Sequence, residues 1–282
     1  MLTYNEEIDI AACIESAQLS DDIIVVDSCS TDKTAAIAQQ YPVRFVEHAF
    51  DSHGKQRTWM LEALPPKHPW AYILEADERM TEALFAECLD AMQHPENVGY
   101  YVAERVLFMN TWIRRSTQYP RYQLRLLKHG SVWFDDYGHT EREVYKGPVG
   151  FLKETYPHYT CSKGMSRWIE KHNRYSTDEA KETLRQLQTG TVKWSDLVFG
   201  KTEVDRRRAL KDLSVRLPFR PLLRFFYMYF FLGGILDGYA GFTWCTLQSF
   251  YEYLITIKLW ELEHGTTGEA PSTPSKVMPL KS

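Results

Sequence analysis

The sequence is poor in several features, and each shortage excludes something. Its five cysteines, at 13, 29, 88, 161 and 245, form no CxxC pair and their number is odd, which excludes a zinc ribbon and a closed disulfide framework and fits a reducing compartment. Long apolar runs are missing too. Residues 225–236 and 238–251 are uncharged, but Asp237 divides them, and neither reaches the ~18 to 20 residues of a membrane-spanning helix. No succession of charged, apolar and small residues opens the chain as a secretion signal would. No glycine-rich phosphate loop stands near the start, which argues against a nucleotidyltransferase. Positive charge is also short: 33 Lys and Arg stand against 37 Asp and Glu, a net charge of −4, so the whole chain is no nucleic-acid binder and any basic patch is local.

Within those limits, 282 residues suffice for one large or two small domains with a proper core. Up to about residue 110, β-rich runs alternate with helical segments, an α/β rhythm. The clearest run, Ile23 to Val26 closed by Asp27, is unbroken and apolar, as in parallel strands covered on both faces. It ends in the polar turn Ser28 to Thr34, which offers Ser30, Thr31 or Asp32 as N-cap to a helix through Gln40. Further strands are predicted at 44–47, 72–74 and 100–108, and helices at 7–17, 54–64 and 81–92. Runs at 123–127, 132–134 and 149–152 read as an antiparallel addition to the same sheet, 164–264 reads as helical, and 265–282, rich in Pro, Ser, Thr and Gly, as a disordered tail. The expected domains are 1–155, 156–264 and 265–282. Two residues precede Thr3, where a central strand takes about five, so the natural chain is expected to begin further upstream.

In an open α/β sheet, ligands gather beyond the carboxyl ends of the strands. Three such ends are polar: Thr3-Tyr4-Asn5-Glu6-Glu7, Asp27 with its Ser/Thr turn, and Glu75-Ala76-Asp77-Glu78. If the chain is extended there, Glu75 and Asp77 face one side. Such a pair could hold Mg²⁺ or Mn²⁺, ions that prefer oxygen, take one or two carboxylates and leave substrate phosphates to complete the shell. A solvated turn, here one leading into the helix capped by Thr81, is the plain alternative for any one such cluster.

In their order and spacing these segments resemble the TYNEE, VDSxSTDxT and DADE signatures of family 2 glycosyltransferases with the GT-A fold, most of all the lipopolysaccharide-core β-1,4-glucosyltransferase group. Leu236-Asp237-Gly238 and Lys258-Leu259-Trp260-Glu261 are similar to the carboxy-terminal FLDG and KLWE elements of that group. The resemblance implies an α/β GT-A fold, a Rossmann-like mixed sheet flanked by helices; the carboxy-terminal helical region that follows reads, from its own residues, as membrane-associating. It implies that Thr3, Tyr4, Asn5 and Glu6 line a nucleotide pocket, that Asp27 reads the base or ribose, and that Arg57 lies near the base and diphosphate. Asp77 would bind the Mg²⁺ or Mn²⁺ that bridges the diphosphate of a UDP-sugar. Glu75 stands where the family usually has Asp, on an arm one methylene longer, and Cys29 where a small residue is common.

Displacement at an anomeric carbon with inversion requires a group that takes the proton of the incoming hydroxyl, while metal and cationic groups stabilise the leaving diphosphate. The candidates lie within 134–143: Asp136 or Glu141 as base, and His139 as a metal or phosphate contact. His139 and Glu141 resemble a His-Glu pair of related sequences, with Thr140 inserted. A basic group between 114 and 129 precedes them. In that group Arg125, on a strand beside apolar neighbours, is the member expected to point into the site.

Between 201 and 224 eight basic residues face three acids, directly before a stretch, 225–253, that holds twelve of the chain's 39 aromatics. A basic segment joined to aromatic, glycine-interrupted helices fits a surface that lies on anionic lipid head groups. Packing of the helical region onto the sheet is the other use of those rings. The protein expected is a metal-dependent inverting hexosyltransferase, moving glucose from UDP-glucose onto a lipid-linked acceptor, an oligosaccharide or a polysaccharide of the cell envelope. It would be cytoplasmic and peripheral on the inner face of the membrane. A catalytically inactive scaffold of a polysaccharide-assembly complex is the rival reading.

Overall fold

The computed structural model describes residues 1–94, 96–117, 119–137, 140–188 and 219–265. Its strands are β1 (Leu2–Thr3), β2 (Ile24–Asp27), β3 (Arg44–Glu47), β4 (Trp70–Tyr72), β5 (Gly99–Phe108), β6 (Thr111–Trp112), β7 (Tyr122–Lys128), β8 (Val132–Tyr137), β9 (Thr140–Tyr145) and β10 (Val149–Tyr159). The helices are α1 (Ile10–Ala17), α2 (Thr34–Ala38), α3 (His53–Ala63), α4 (Glu82–Ala91), α5 (Gly164–Gln188), α6 (Arg220–Phe226) and α7 (Gly238–His264), with a π-helical turn at Tyr227–Phe231 and a 3₁₀ turn at Gly234–Asp237. Among the described residues no helix is long and apolar enough to cross a membrane.

Strands β1, β2 and β3 form a parallel sheet, and β10, β5, β7 and β4 a mixed one, with β6 added to β5. A parallel bridge from Leu2 to Glu75 joins the two, so the carboxyl ends of β1, β2 and β4 adjoin. The unbroken apolar run in β2 has a reason: Val25 packs with Ile10 and Ile14 of α1, while Val26 packs on the opposite face with Met60 and Leu61 of α3. Each such fully buried side chain stabilises the fold by about 1.5–3 kcal/mol. A third cluster, around Leu84, Val102, Leu126 and Tyr156, seats α4 on the mixed sheet.

The expected antiparallel addition is corrected in two places. Strand β7 is antiparallel to β4 and β5, but β10 runs parallel to β5. The 132–134 run pairs with β9 in a separate hairpin. That hairpin leaves the sheet between β7 and β10, so strand direction is set by the excursion rather than by a tight turn. At the helix starts, Ser52 caps α3 and Thr81 caps α4 through their hydroxyls. The N-cap of α2 is Lys33, one residue beyond the three candidates, with no side-chain bond of its own. Asp32 instead accepts the Thr34 N–H at 2.9 Å.

The chain forms two compact units, the first from Met1–Ile169 with Arg224–Gln248, the second from Glu170–Leu223 with Ser249–Ser282. A boundary was expected near residue 155. The first unit runs past it and takes back Arg224–Gln248, because Ala240, Trp244 and Leu247 pack on Phe108 and Ile113. Within the second unit, Lys258 donates to Asn173 Oδ1, Ser176 Oγ and Thr177 Oγ1 at 2.7–2.8 Å, fastening α5 to α7. The tail 266–282 and the basic residues from Lys201 to Arg216 lie outside the described residues.

Candidate active site

The first polar rim is built by the ends of β1 and β2. Asp27 is fully buried. Its Oδ1 accepts the hydroxyls of Thr3 at 2.8 Å and Ser30 at 2.6 Å, and its Oδ2 accepts the Ser30 N–H at 2.7 Å. Asn5, in the left-handed region at φ 54°, donates its N–H to Ser30 Oγ and accepts the Thr31 N–H, both at 2.8 Å. Both oxygens of Asp27 thus help to shape the turn, and a carboxylate, with about four acceptor sites, has one left beyond these three bonds. Tyr4, by contrast, is half exposed beside it. Glu6 pairs with Lys163. Burial outweighs that pairing and pushes the Glu6 carboxyl up to about 7, and its Oε2 is buried without a hydrogen-bond partner.

At the β4 end the chain turns, with the Glu78 N–H donating to the Glu75 carbonyl at 3.0 Å. It is therefore not extended, and Glu75 and Asp77 part company. Glu75 is held by Arg57 at 2.5 Å and Arg125 at 3.3 Å. Burial alone would raise its carboxyl, but the two guanidinium groups bring it down to about 2. Arg125 points inward as expected, wholly buried, and also binds Glu78 at 2.5 Å. Asp77 turns the other way, to His158 Nε2 at 3.3 Å, while His158 Nδ1 meets Glu104 at 3.2 Å. Burial opposes a charge on His158, yet hydrogen bonds to Asp77 and Glu104 prevail and push it up to about 10.

The hairpin of β8 and β9 supplies the other side of the site. Asp136 and Glu141 are cross-strand partners, and both reach α3. Asp136 accepts the Ser52 hydroxyl at 2.7 Å and the Gly54 N–H at 3.1 Å, and the Ser52 bond holds its carboxyl below the usual range. Glu141 binds Arg57 at 2.9 Å. Burial pushes its carboxyl up against that contact, and its Oε2 is buried with no hydrogen-bond partner. Arg57 thus bridges Glu75 and Glu141. His139 lies outside the described residues.

Among the described residues no group of three or more His, Cys, Asp or Glu side chains is arranged to hold a metal ion. Glu75 is taken by two arginines, and Asp77, paired with His158, is the acid of the two that could hold an ion. A single carboxylate fits Mg²⁺ or Mn²⁺ in the mode where water and substrate phosphates fill most of the shell. His158, Glu104 and Lys163 carry no motif and were not singled out from the sequence. They reach the site through the β10 pairing, in which His158 bridges to Glu78 and the Tyr159 N–H donates to the Asp77 carbonyl at 2.8 Å, a long-range register that local pattern does not encode.

The signature of Glycosyl transferase family 2 matches residues 1–149. A lipopolysaccharide core biosynthesis glycosyltransferase, LpsC of Rhizobium meliloti (strain 1021), is 29% identical over 270 residues, covering 93% of this chain and 90% of its own. An uncharacterized glycosyltransferase of Rickettsia bellii (strain RML369-C) is 24% identical, with 93% and 85% covered. Among solved structures, the mannosyltransferase PcManGT of Pyrobaculum calidifontis, in complex with GDP-Man and Mn²⁺, aligns with a TM-score of 0.47 at 14% identity, covering 92% of this chain and 85% of that one. The family match takes in more than half of the chain, including the ends of β1, β2 and β4 and the β8–β9 hairpin, and the protein is accordingly a member of glycosyl transferase family 2, with that family's GT-A architecture.

Proposed function

We propose that the protein is a metal-dependent inverting glycosyltransferase that moves a hexose, glucose from UDP-glucose, onto a lipid-linked acceptor or a saccharide of the cell envelope. The observation that carries this reading is the Glu141 carboxylate: one oxygen is fixed by Arg57 and the other is buried without a partner, beside an arginine that also grips the metal-motif turn. A carboxyl raised by burial suits a general base. Its Oε2 would accept the proton of the acceptor hydroxyl as that oxygen bonds to the anomeric carbon. The bond from that carbon to the diphosphate breaks on the opposite side, and the nucleoside diphosphate departs with the electron pair. Asp77 would hold the divalent ion, which when bound neutralises charge on the diphosphate. Tyr4 offers an open ring for the nucleobase, over the turn that Asp27, Asn5 and Ser30 keep in shape. The envelope acceptor is supported by the likeness to LpsC.

The test is Asp77→Ala, assayed for transfer and for nucleoside diphosphate release across a panel of nucleotide sugars. Loss of about 10²-fold or more in turnover is expected in a variant that still unfolds cooperatively, with its melting temperature lowered by loss of the His158 contact. Undiminished turnover would overturn the metal assignment, and failure of the wild type to bind UDP with Mn²⁺ would favour the scaffold.

A further inference from the structure

The segment Phe226–Phe242 of the first unit is folded so that most of its large side chains are exposed, with Met228 the buried exception. A Cβ added at Gly241 would lie 2.2 Å from the Gly234 carbonyl oxygen, and one at Gly234 would lie 2.9 Å from both Cys245 Sγ and the Met228 carbonyl. The turn is therefore packed backbone to backbone, and only glycine fits. With its inner face filled in this way and by Met228, little inward room is left for the other bulky residues. Phe231 is 83% exposed, Tyr239 74% and Leu236 71%, and Phe226, Phe230 and Ile235 are about half exposed. Exposed apolar side chains grouped in this way along one turn mark an interaction site rather than chance exposure.

Charge at this surface selects the partner. The one acid between 225 and 251 is Asp237, and its Oδ2 accepts the backbone N–H groups of Arg115 at 3.0 Å and Ser116 at 3.4 Å. Its negative charge is turned onto backbone donors. The same contact brings the exposed Arg114–Arg115 pair alongside the aromatic turn, with the Arg115 side chain against Gly233. We propose that this turn is a docking surface for an anionic lipid bilayer, with Phe231, Leu236 and Tyr239 entering the acyl boundary and Arg114 and Arg115 meeting the phosphate head groups. Its aromatic rings, adjoining arginines and inward-facing acid match a negatively charged, apolar-backed interface. The excess of basic residues in the sequence just before this stretch has the same sign. This inference stands apart from the identity of the donor sugar or the base.

Co-sedimentation of the full chain with vesicles of phosphatidylcholine containing about 30% phosphatidylglycerol, compared with phosphatidylcholine alone, tests it. The wild type is expected to bind the anionic vesicles, and to be released by high salt. Phe231→Ser with Leu236→Ser should weaken binding at least ~tenfold at an unchanged melting temperature, since both side chains are exposed. Arg114→Gln with Arg115→Gln should weaken binding to anionic vesicles alone, by roughly tenfold. A wild type that stays in solution with anionic vesicles overturns the proposal, as do double variants that bind as well as the wild type. A concentration-dependent dimer that Phe231→Ser with Leu236→Ser converts to monomer, without vesicle binding, overturns it in favour of a second copy.

Discussion

At the scale of single residues, Asp136 and Glu141 differ in what their surroundings leave them free to do. Asp136 has both oxygens engaged at the start of α3, whereas Glu141 keeps one oxygen unpartnered. Glu141→Gln is therefore expected to lower kcat by about 10²- to 10⁴-fold, while Asp136→Asn mainly loosens the seating of the hairpin on α3 and leaves kcat within a few-fold of the wild type. Nucleoside diphosphate release and urea denaturation of the two variants separate these outcomes. The base must be deprotonated to act, and burial raises the Glu141 carboxyl from its ordinary 4.5. Activity should accordingly fall as pH drops through an apparent pKa above 4.5, and the pH–rate profile of Glu141→Gln should lack that limb. Glu75 has the opposite sign. Its carboxyl is held at about 2, so its contribution to stability is complete above about pH 4.5 and is lost as pH falls from there toward 2. Glu75→Gln should be less stable than the wild type by about 1–3 kcal/mol at pH 7, because Arg57 and Arg125 each keep one other carboxylate. Thermal melts should show the gap closing toward pH 3.

At the scale of elements, α3 organises the site. One helical turn supplies Ser52 and Gly54 to Asp136, and the next supplies Arg57 to Glu75 and Glu141. The hairpin lies so close that a Cβ on Gly54 would fall 2.7 Å from the Asp135 carbonyl carbon and 2.8 Å from the Asp136 nitrogen. Gly54→Ala should thus push β8 away, with a loss of about 1–3 kcal/mol and a fall in kcat as Glu141 is displaced, to be read from the denaturation midpoint and steady-state rates. Local pattern was enough to find these elements: the Ile23–Asp27 run, the Thr81 cap and the alternation of strand and helix all reflect short-range chemistry. The direction of β10 and the pairing of Asp77 with His158 were not legible, since both depend on where the chain returns after the β8–β9 excursion. The three strand ends that the motifs occupy do adjoin, but which acid each arginine would take was a matter of packing that spacing does not carry.

At the scale of the whole molecule, the described residues contain no protein cage for an ion. Chelation with EDTA is therefore expected to abolish transfer while leaving the melting temperature within about 1 °C of its starting value, whereas UDP with Mn²⁺ together should raise it, because a ligand that binds only the folded state stabilises it by mass action. Differential scanning fluorimetry with and without nucleotide checks both arms. A drop in melting temperature on chelation alone would mean that the ion is held by protein ligands before the donor arrives. The bridge that Arg57 makes between Glu75 and Glu141 bears on redesign. One guanidinium holds both the Glu75 turn and the Glu141 carboxylate, so under the proposed roles donor and acceptor preference are not separable modules. A library that varies the Glu75 turn to admit a new sugar will also shift acceptor choice, and the two traits have to be selected together.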